Sequence, residues 1–219
     1  LAADVHSGLW GNVVPDAALA LMQLVPRLVD EDGRLKVGRV EVPEPWRAAS
    51  RDVPLTAEVI RKSARLVDGV EPLPERGRTP AEWMWRQPAV TVLSTTLPQP
   101  GGEKNAVRGQ ASARLSCRVA PGQTAEELLA AIEAVLTADP PGGVKVTVKP
   151  TRSGGSWLYE PEGPAFPAAD RAYEKAWGEK LLPVGVGGSI PFVAMFGRRF
   201  GDLPLILNGV MDPETGAHG

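Results

Sequence analysis

The stretch Gln110-Ala111-Ser112-Ala113-Arg114-Leu115-Ser116-Cys117-Arg118-Val119, continued by Ala120-Pro121-Gly122-Gln123-Thr124-Ala125-Glu126-Glu127, decides the fold. Its first part alternates strictly. Ala111, Ala113, Leu115, Cys117 and Val119 fall on one side, and Ser112, Arg114, Ser116 and Arg118 on the other. Successive side chains of a strand point to opposite faces, so this period predicts a strand with one face buried. Thr124 and Glu127 then stand at the spacing of a capping box, which opens a helix with Leu128, Leu129, Ile132, Val135 and Leu136 on one face. Beyond it Val144, Val146 and Val148 alternate with Lys145, Thr147 and Lys149, predicting a further strand.

Toward the N-terminus, Ala89 to Leu97 is rich in β-formers, and Thr79-Pro80-Ala81-Glu82 reads as a capping box for a short helix carrying Trp83 and Trp85. Residues 33–80 show little period. A helix is expected from about Thr56 to Leu66, and Glu71 to Arg78 reads as a proline-rich loop. Residues 15–30 predict a helix with Pro15 at its start and an apolar stripe of Leu21, Leu24, Val25 and Leu28. Pro26 has no N–H to donate, so a kink or early stop is expected there. Asp4 to Gly8 predicts a short strand running into a turn. The resulting order is strand, helix, insert, strand, strand, helix, strand. That is the order of a ferredoxin-like sandwich, an α+β lid with a four-stranded antiparallel sheet and two helices. Such a sheet leaves an edge strand or a helix free to pair with a second copy.

Character changes after Thr151, and a boundary is expected near residue 152, with residues 1–152 as the lid and 153–219 as part of an α/β layer. A helix is predicted over 164–178, a short strand over Leu181–Val184, and a glycine loop over Gly185-Val186-Gly187-Gly188-Ser189. An apolar helix from Ile190 to Phe196 and a buried strand over Pro204–Leu207 complete the alternation.

Composition narrows the functional classes. The formal net charge is −2 over 219 residues, with no basic stripe of the kind a nucleic-acid binder carries. No apolar run approaches the roughly 20 residues that span a bilayer. Leu1-Ala2-Ala3-Asp4 lacks the pattern of a signal peptide. The single Cys117 cannot pair within the chain, which fits a reducing compartment, and a cytoplasmic location is expected. There is no starting Met, and both ends look cut from something longer.

Only two histidines are present, His6 and His218. A zinc site needs at least three protein ligands, so no complete site is evident, and no G-x-S-x-G nucleophile motif occurs. His6, at the end of its strand, is either a surface or capping residue or an imidazole that polarises a carbonyl. Arg118, on the polar face beside Arg114, is either solvated or a bidentate clamp for a carboxylate. The Gly185–Ser189 loop opens a helix whose N–H groups suit an anion, although tight turns explain most such loops. His218 follows a turn-rich segment after a predicted buried strand, a place where ligands occur but where most histidines are merely solvated.

Six segments in order resemble the zinc metallopeptidase family of carnosine dipeptidase, aminoacylase, acetylornithine deacetylase and succinyl-diaminopimelate desuccinylase, closest to the dipeptidase branch. They are Asp4-Val5-His6-Ser7-Gly8-Leu9-Trp10-Gly11, Trp85-Arg86-Gln87-Pro88, Lys104-Asn105-Ala106-Val107, Ser116-Cys117-Arg118-Val119-Ala120-Pro121-Gly122, Gly187-Gly188-Ser189-Ile190-Pro191, and Asp212-Pro213 leading to Ala217-His218-Gly219. The resemblance implies a lid inserted in a larger catalytic domain and pairing two subunits. It implies that His6 reaches the neighbouring subunit's site to stabilise an oxyanion. Asn105 adds a polar contact, Arg118 binds the substrate carboxylate with Gly187, Gly188 and Ser189, and His218 ligates one metal ion.

The family uses two divalent metal ions, zinc or manganese, with the remaining ligands, a bridging aspartate and a glutamate base in a preceding segment. This chain is therefore expected to be a fragment that does not hold the metal pair by itself. A small peptide substrate and a homodimer are the expected partners, with neither nucleic acid nor membrane. Arg108 stands where many dipeptidases have proline, Val186 where several have an acidic residue, and Pro26 interrupts a lid helix. Two other readings stay open for the first 150 residues or the whole: a non-catalytic dimerisation module, and a regulatory domain for amino acids. Within the family, an N-acyl amino acid deacylase or desuccinylase is the alternative to a dipeptidase.

Overall fold

The computed structural model describes residues 1–151, 156–159, 161–185, 191–201 and 203–208. The described residues are mixed helix and sheet and fall into two compact units, residues 1–40 with 87–155 and residues 41–86 with 156–219.

The first unit holds β1 (Val5–His6), α1 (Ser7–Trp10), α2 (Ala17–Leu24), β2 (Ala89–Thr95), β3 (Ala106–Val107), β4 (Ala113–Arg118) and α6 (Ala125–Thr137). Its strands form two antiparallel ladders among the described residues, β1 with β3 and β2 with β4. The predicted strand at 110–119 is β4, and its inward face is the expected one. Leu115, Cys117 and Val119 pack with Val90 against a core of Leu24, Leu28, Leu35, Leu128, Ile132 and Leu136. β2 carries an irregularity between Val92 and Ser94, which offsets Leu93 from the ladder.

The capping box of α6 is complete. Thr124 Oγ1 accepts from the Glu127 amide at 3.1 Å, and the Glu127 carboxylate accepts from the Thr124 amide at 2.8 Å. These bonds hold the Glu127 carboxyl below the usual glutamate range. Pro15, expected as the first helical residue, lies before α2, and Asp16 caps the helix, accepting from the Ala18 amide at 2.8 Å. Pro26 does end the helix: the chain tightens into a 3₁₀ turn over Val25–Leu28. Arg27 in that turn donates through Nη1 to the carbonyls of Ala138 and Asp139, at 2.8 and 3.1 Å, just past the end of α6.

A tight return follows between Val29 and Leu35, which bridge one another. Asp30 Oδ1 accepts from the amides of Asp32 and Arg34 at 3.0 and 2.9 Å, and Gly33 takes the left-handed position at φ 81°. Burial pushes the Asp30 carboxyl up, but Arg39 and these amides outweigh it and hold it below the usual range. Gln87, 4% exposed, clasps Val40 from both sides: Nε2 donates to its carbonyl at 2.8 Å and Oε1 accepts from its amide at 3.3 Å.

Residues 144–148 show the predicted alternation in burial, and Val146 and Val148 pack on the core. They join no ladder among the described residues, so the strand expected there is an extended segment without strand pairing. The alternation encodes which face is buried; it does not supply a hydrogen-bonding neighbour.

The second unit holds α3 (Glu44–Arg51), α4 (Ala57–Ser63), α5 (Pro80–Arg86), α7 (Ala165–Trp177) and α8 (Pro191–Phe200). Thr56 caps α4 and Gly178, at φ 77°, ends α7. Thr79 Oγ1 accepts from the Glu82 amide at 3.2 Å, which is half of the predicted box. The Glu82 carboxylate, 2% exposed, faces Arg78 and Arg47 instead. Arg86 lies 3.6 Å over the Trp46 ring. The strands expected at Leu181–Val184 and Pro204–Leu207 form no ladder; Ile206 and Leu207 are 42% and 61% exposed. A buried strand needs neighbours on both edges, and the described residues offer none. Among the described residues no helix is long and apolar enough to cross a membrane.

Candidate functional site

The β1–β3 ladder is two residues long, with Val5 opposite Val107 and His6 opposite Ala106. So short a ladder has little stability of its own. Three further ties hold it. The Ser7 amide donates to the Asn105 carbonyl at 3.0 Å. Val107 is 4% exposed and anchors the pair in the unit. Asp4 spans the far end: Oδ1 accepts from the Gly109 amide at 2.9 Å and Oδ2 from Arg108 Nη1 at 2.8 Å. The Gly109 amide first, and then the Arg108 guanidinium, hold the Asp4 carboxyl below the usual aspartate range. The Arg108 carbonyl in turn accepts from the Ala17 amide at 3.0 Å, tying the ladder to the start of α2.

His6 leaves this ladder in extended conformation, φ −62° and ψ 122°, and becomes the N-cap of α1. Its Nδ1 accepts from the Gly8 amide at 3.1 Å. The residue is exposed. Asn105 is also exposed, and its backbone sits beside the His6–Ser7 junction. The ladder therefore brings together two predicted site residues that lie far apart in sequence. Close by in sequence, Leu9, Trp10 and Val13 are 73%, 47% and 70% exposed, apolar side chains left open among the described residues.

Arg118 ends β4 opposite Ala89, on the outward face with Arg114. Both arginines are exposed, and neither has an ion-pair partner among the described residues. The β4 alternation thus sorts its side chains as predicted, with Cys117 inward and Arg118 outward. Burial pushes the Cys117 thiol up, which leaves it a poor nucleophile at neutral pH. No hydrogen bond joins Arg118 to His6 or Asn105. Gly187, Gly188, Ser189 and His218 lie outside the described residues.

Among the described residues no three His, Cys, Asp or Glu side chains gather to hold a metal ion. The described part does not by itself fit a metal centre. What it offers is a hydrogen-bond donor on an exposed imidazole, an amide side chain beside it, and an exposed guanidinium. Asp4 and Gly8, which place the imidazole, are roles that period and spacing do not reveal. Both stand in the Asp4–Gly11 segment that carries the resemblance, two residues either side of His6.

Known proteins resemble this chain in family, in sequence and in structure. The family described as the peptidase dimerisation domain matches residues 2–144. Across the whole chain, a cysteinylglycine-S-conjugate dipeptidase of Corynebacterium striatum is 36% identical, with 48% of its length covered. A Cys-Gly metallodipeptidase of Saccharomyces cerevisiae is 23% identical over 89% of this chain and 42% of its own length. Among solved structures, a di-peptidase from Saccharomyces cerevisiae superposes over 90% of this chain and 42% of its own, with a TM-score of 0.72 at 22% identity. Human carnosine dipeptidase 1 does so over 89% and 43%, with a TM-score of 0.68 at 23% identity. The chain spans about half the length of the curated relatives it matches.

Proposed function

Since the chain belongs to the peptidase dimerisation domain family, within the metallopeptidases, we propose that the longer protein carrying it hydrolyses dipeptides. In that reading this chain pairs two subunits and lends His6 to the neighbouring subunit's reaction centre. The observation that carries it is the β1–β3 ladder, which sets His6 and Asn105 side by side on an exposed end, with open apolar side chains close by in sequence.

His6 donates a hydrogen bond to the oxyanion as the amide carbonyl is attacked, which lowers the barrier because the charge develops only in the transition state. Asn105 adds a polar contact. Arg118 grips the free carboxylate of the substrate, aided by Gly187, Gly188 and Ser189. His218 ligates one of two divalent metal ions, whose other ligands belong to the rest of the parent. The four-stranded ferredoxin-like lid over residues 1–152, the homodimer and the cytoplasmic location are part of the same proposal. Cys-Gly and its S-conjugates are the first substrates to try, because the printed names of the relatives specify them. Exposure of Trp177, Phe192 and Leu203, at 70%, 59% and 56%, supports a further catalytic part packed against the second unit.

Mixed dimers test the reading. His6→Ala and His218→Ala versions of the full-length protein should each lose activity, the first by on the order of 10²–10³ in kcat. Refolded together, they should regain roughly a quarter of native activity, since half of the random dimers are mixed and each holds one complete site. No recovery on mixing would place His6 in its own subunit's site and overturn the proposal.

A further inference from the structure

The Gly8 amide reaches His6 Nδ1 at 3.1 Å. A neutral imidazole has one nitrogen that donates and one that accepts. With an N–H aimed at it, Nδ1 must be the acceptor, so the proton resides on Nε2. Gly8 also comes close to the ring itself. A Cβ built there would lie 3.0 Å from His6 Cε1 and 3.2 Å from Nδ1. A side chain at this position would therefore press on the imidazole edge and shift the ring.

Helix capping alone does not account for this arrangement. α1 has four residues and buries none of them, so there is little helix to stabilise. Asn, Asp or Ser would also cap it better than histidine. What histidine adds is a second polar edge. Once Nδ1 is engaged, Nε2–H on the opposite side of the ring remains, on a residue exposed to its surroundings.

We propose that Gly8 is a positioning residue for His6: its amide holds the imidazole as the Nε2–H tautomer, and the absence of a side chain lets the ring sit where that N–H is presented outward as a donor to a carbonyl or oxyanion oxygen. The inference deepens the reading of His6 given above and rests on it for its catalytic meaning. It makes His6 a neutral donor, preorganised by its own neighbouring peptide, and not a proton-transfer group.

Nitrogen NMR of the ¹⁵N-labelled 219-residue chain, with His218→Gln to assign the ring signals, reads the tautomer directly. In alkaline buffer, Nδ1 of His6 should give an acceptor-type signal and Nε2 a proton-bearing one. Gly8→Ala keeps the amide, so the tautomer should persist while the ring signals shift. Gly8→Pro removes the N–H at a first-turn position that tolerates proline, and both nitrogens should move toward averaged values. In the full-length protein Gly8→Pro should lower kcat on the order of ten- to a hundredfold with little change in KM, as expected for a displaced catalytic group.

An Nδ1–H or averaged signal in the native chain overturns the proposal. So does a Gly8→Pro spectrum unchanged from native. The Ser7 amide signal, set by its bond to Asn105, shows whether the ladder survives the substitution; if it does not, the native-chain tautomer alone decides. Full activity in His6→Ala together with the expected tautomer would sink the oxyanion reading and leave the Gly8 lock standing.

Discussion

Replacing Gly38 by alanine should loosen α6 far more than the same change at Gly33. Gly38 has φ 68°, and a Cβ there would lie 2.7 Å from Leu128 Cδ1 and 2.8 Å from Gln123 Nε2. Gln123 Nε2 donates to the Gly38 carbonyl at 2.9 Å, and Leu128 is 2% exposed in the core, so neither neighbour has free room. Gly33 has φ 81° and nothing within 4 Å of its virtual Cβ. Left-handed backbone costs about 1–2 kcal/mol for an L side chain, and reduced freedom of the unfolded chain returns about 0.4–1 kcal/mol. Gly33→Ala should therefore cost about 1 kcal/mol. At Gly38 overpacking adds about 1–3 kcal/mol, for a total of about 2–4 kcal/mol. Amide exchange of Ile132 and Leu136 in α6 reports the opening of this core without requiring the two units to unfold together. Gly38→Ala should speed their exchange by roughly thirtyfold to a thousandfold, and Gly33→Ala by about fivefold or less. Equal effects at the two glycines would show that the Gly38–Leu128 approach is not tight, and the packing placed there would be wrong.

Glu82→Ala should destabilise the second unit by about 1.5–3 kcal/mol, because it removes the buried carboxylate that the partly exposed Arg47 and Arg78 face. Urea unfolding followed by tryptophan fluorescence checks it, and a loss under 1 kcal/mol would refute it. Titration of Asp4 can be followed at the Gly109 amide, to which it bonds. Its folded pKa is depressed, so its contribution to the ladder is fully present above the ordinary aspartate value and disappears as pH falls through the lower folded value. The Gly109 shift should therefore have its midpoint below that ordinary value; a midpoint at or above it would mean that Asp4 does not clamp β3.

The parts of the fold legible in the sequence are those whose period reports burial. β4 and α6 declare themselves because Leu115 and Cys117 on one, and Leu128, Ile132 and Leu136 on the other, meet in a single core. Residues 144–148 show where this logic stops: Val146 and Val148 face the core as predicted, yet no ladder forms among the described residues, since pairing depends on a neighbour rather than on the strand's own pattern. α3 escaped notice because Pro43 and Pro45 disguise its start, although a first helical turn tolerates proline. At the candidate site, His6, Asn105 and Arg118 could be singled out by motif, and the exposed positions of all three agree with an outward role. The Asp4–Arg108 pair could not, because its partners are 104 residues apart and neither carries a local pattern.

A hydrogen-bond donor on a wet surface has little catalytic value, since water competes for it and the field it exerts is screened. His6 is such a donor in this chain: exposed, tethered by a two-residue ladder and followed by Leu9, Trp10 and Val13, which are left open among the described residues. Covering those side chains with a second subunit would do two things at once. It would remove apolar surface from water, which favours association, and it would exclude water from the Nε2–H, which strengthens its bond to a developing oxyanion. On the proposed reading, dimerisation and catalysis are therefore coupled at one surface. Trp10→Lys, which places a charge among them without touching the His6–Gly8 bond, should weaken pairing and lower kcat together in the full-length protein, with the native His6 tautomer retained. A variant that stays dimeric and fully active would separate the two and show that these side chains do not shield His6.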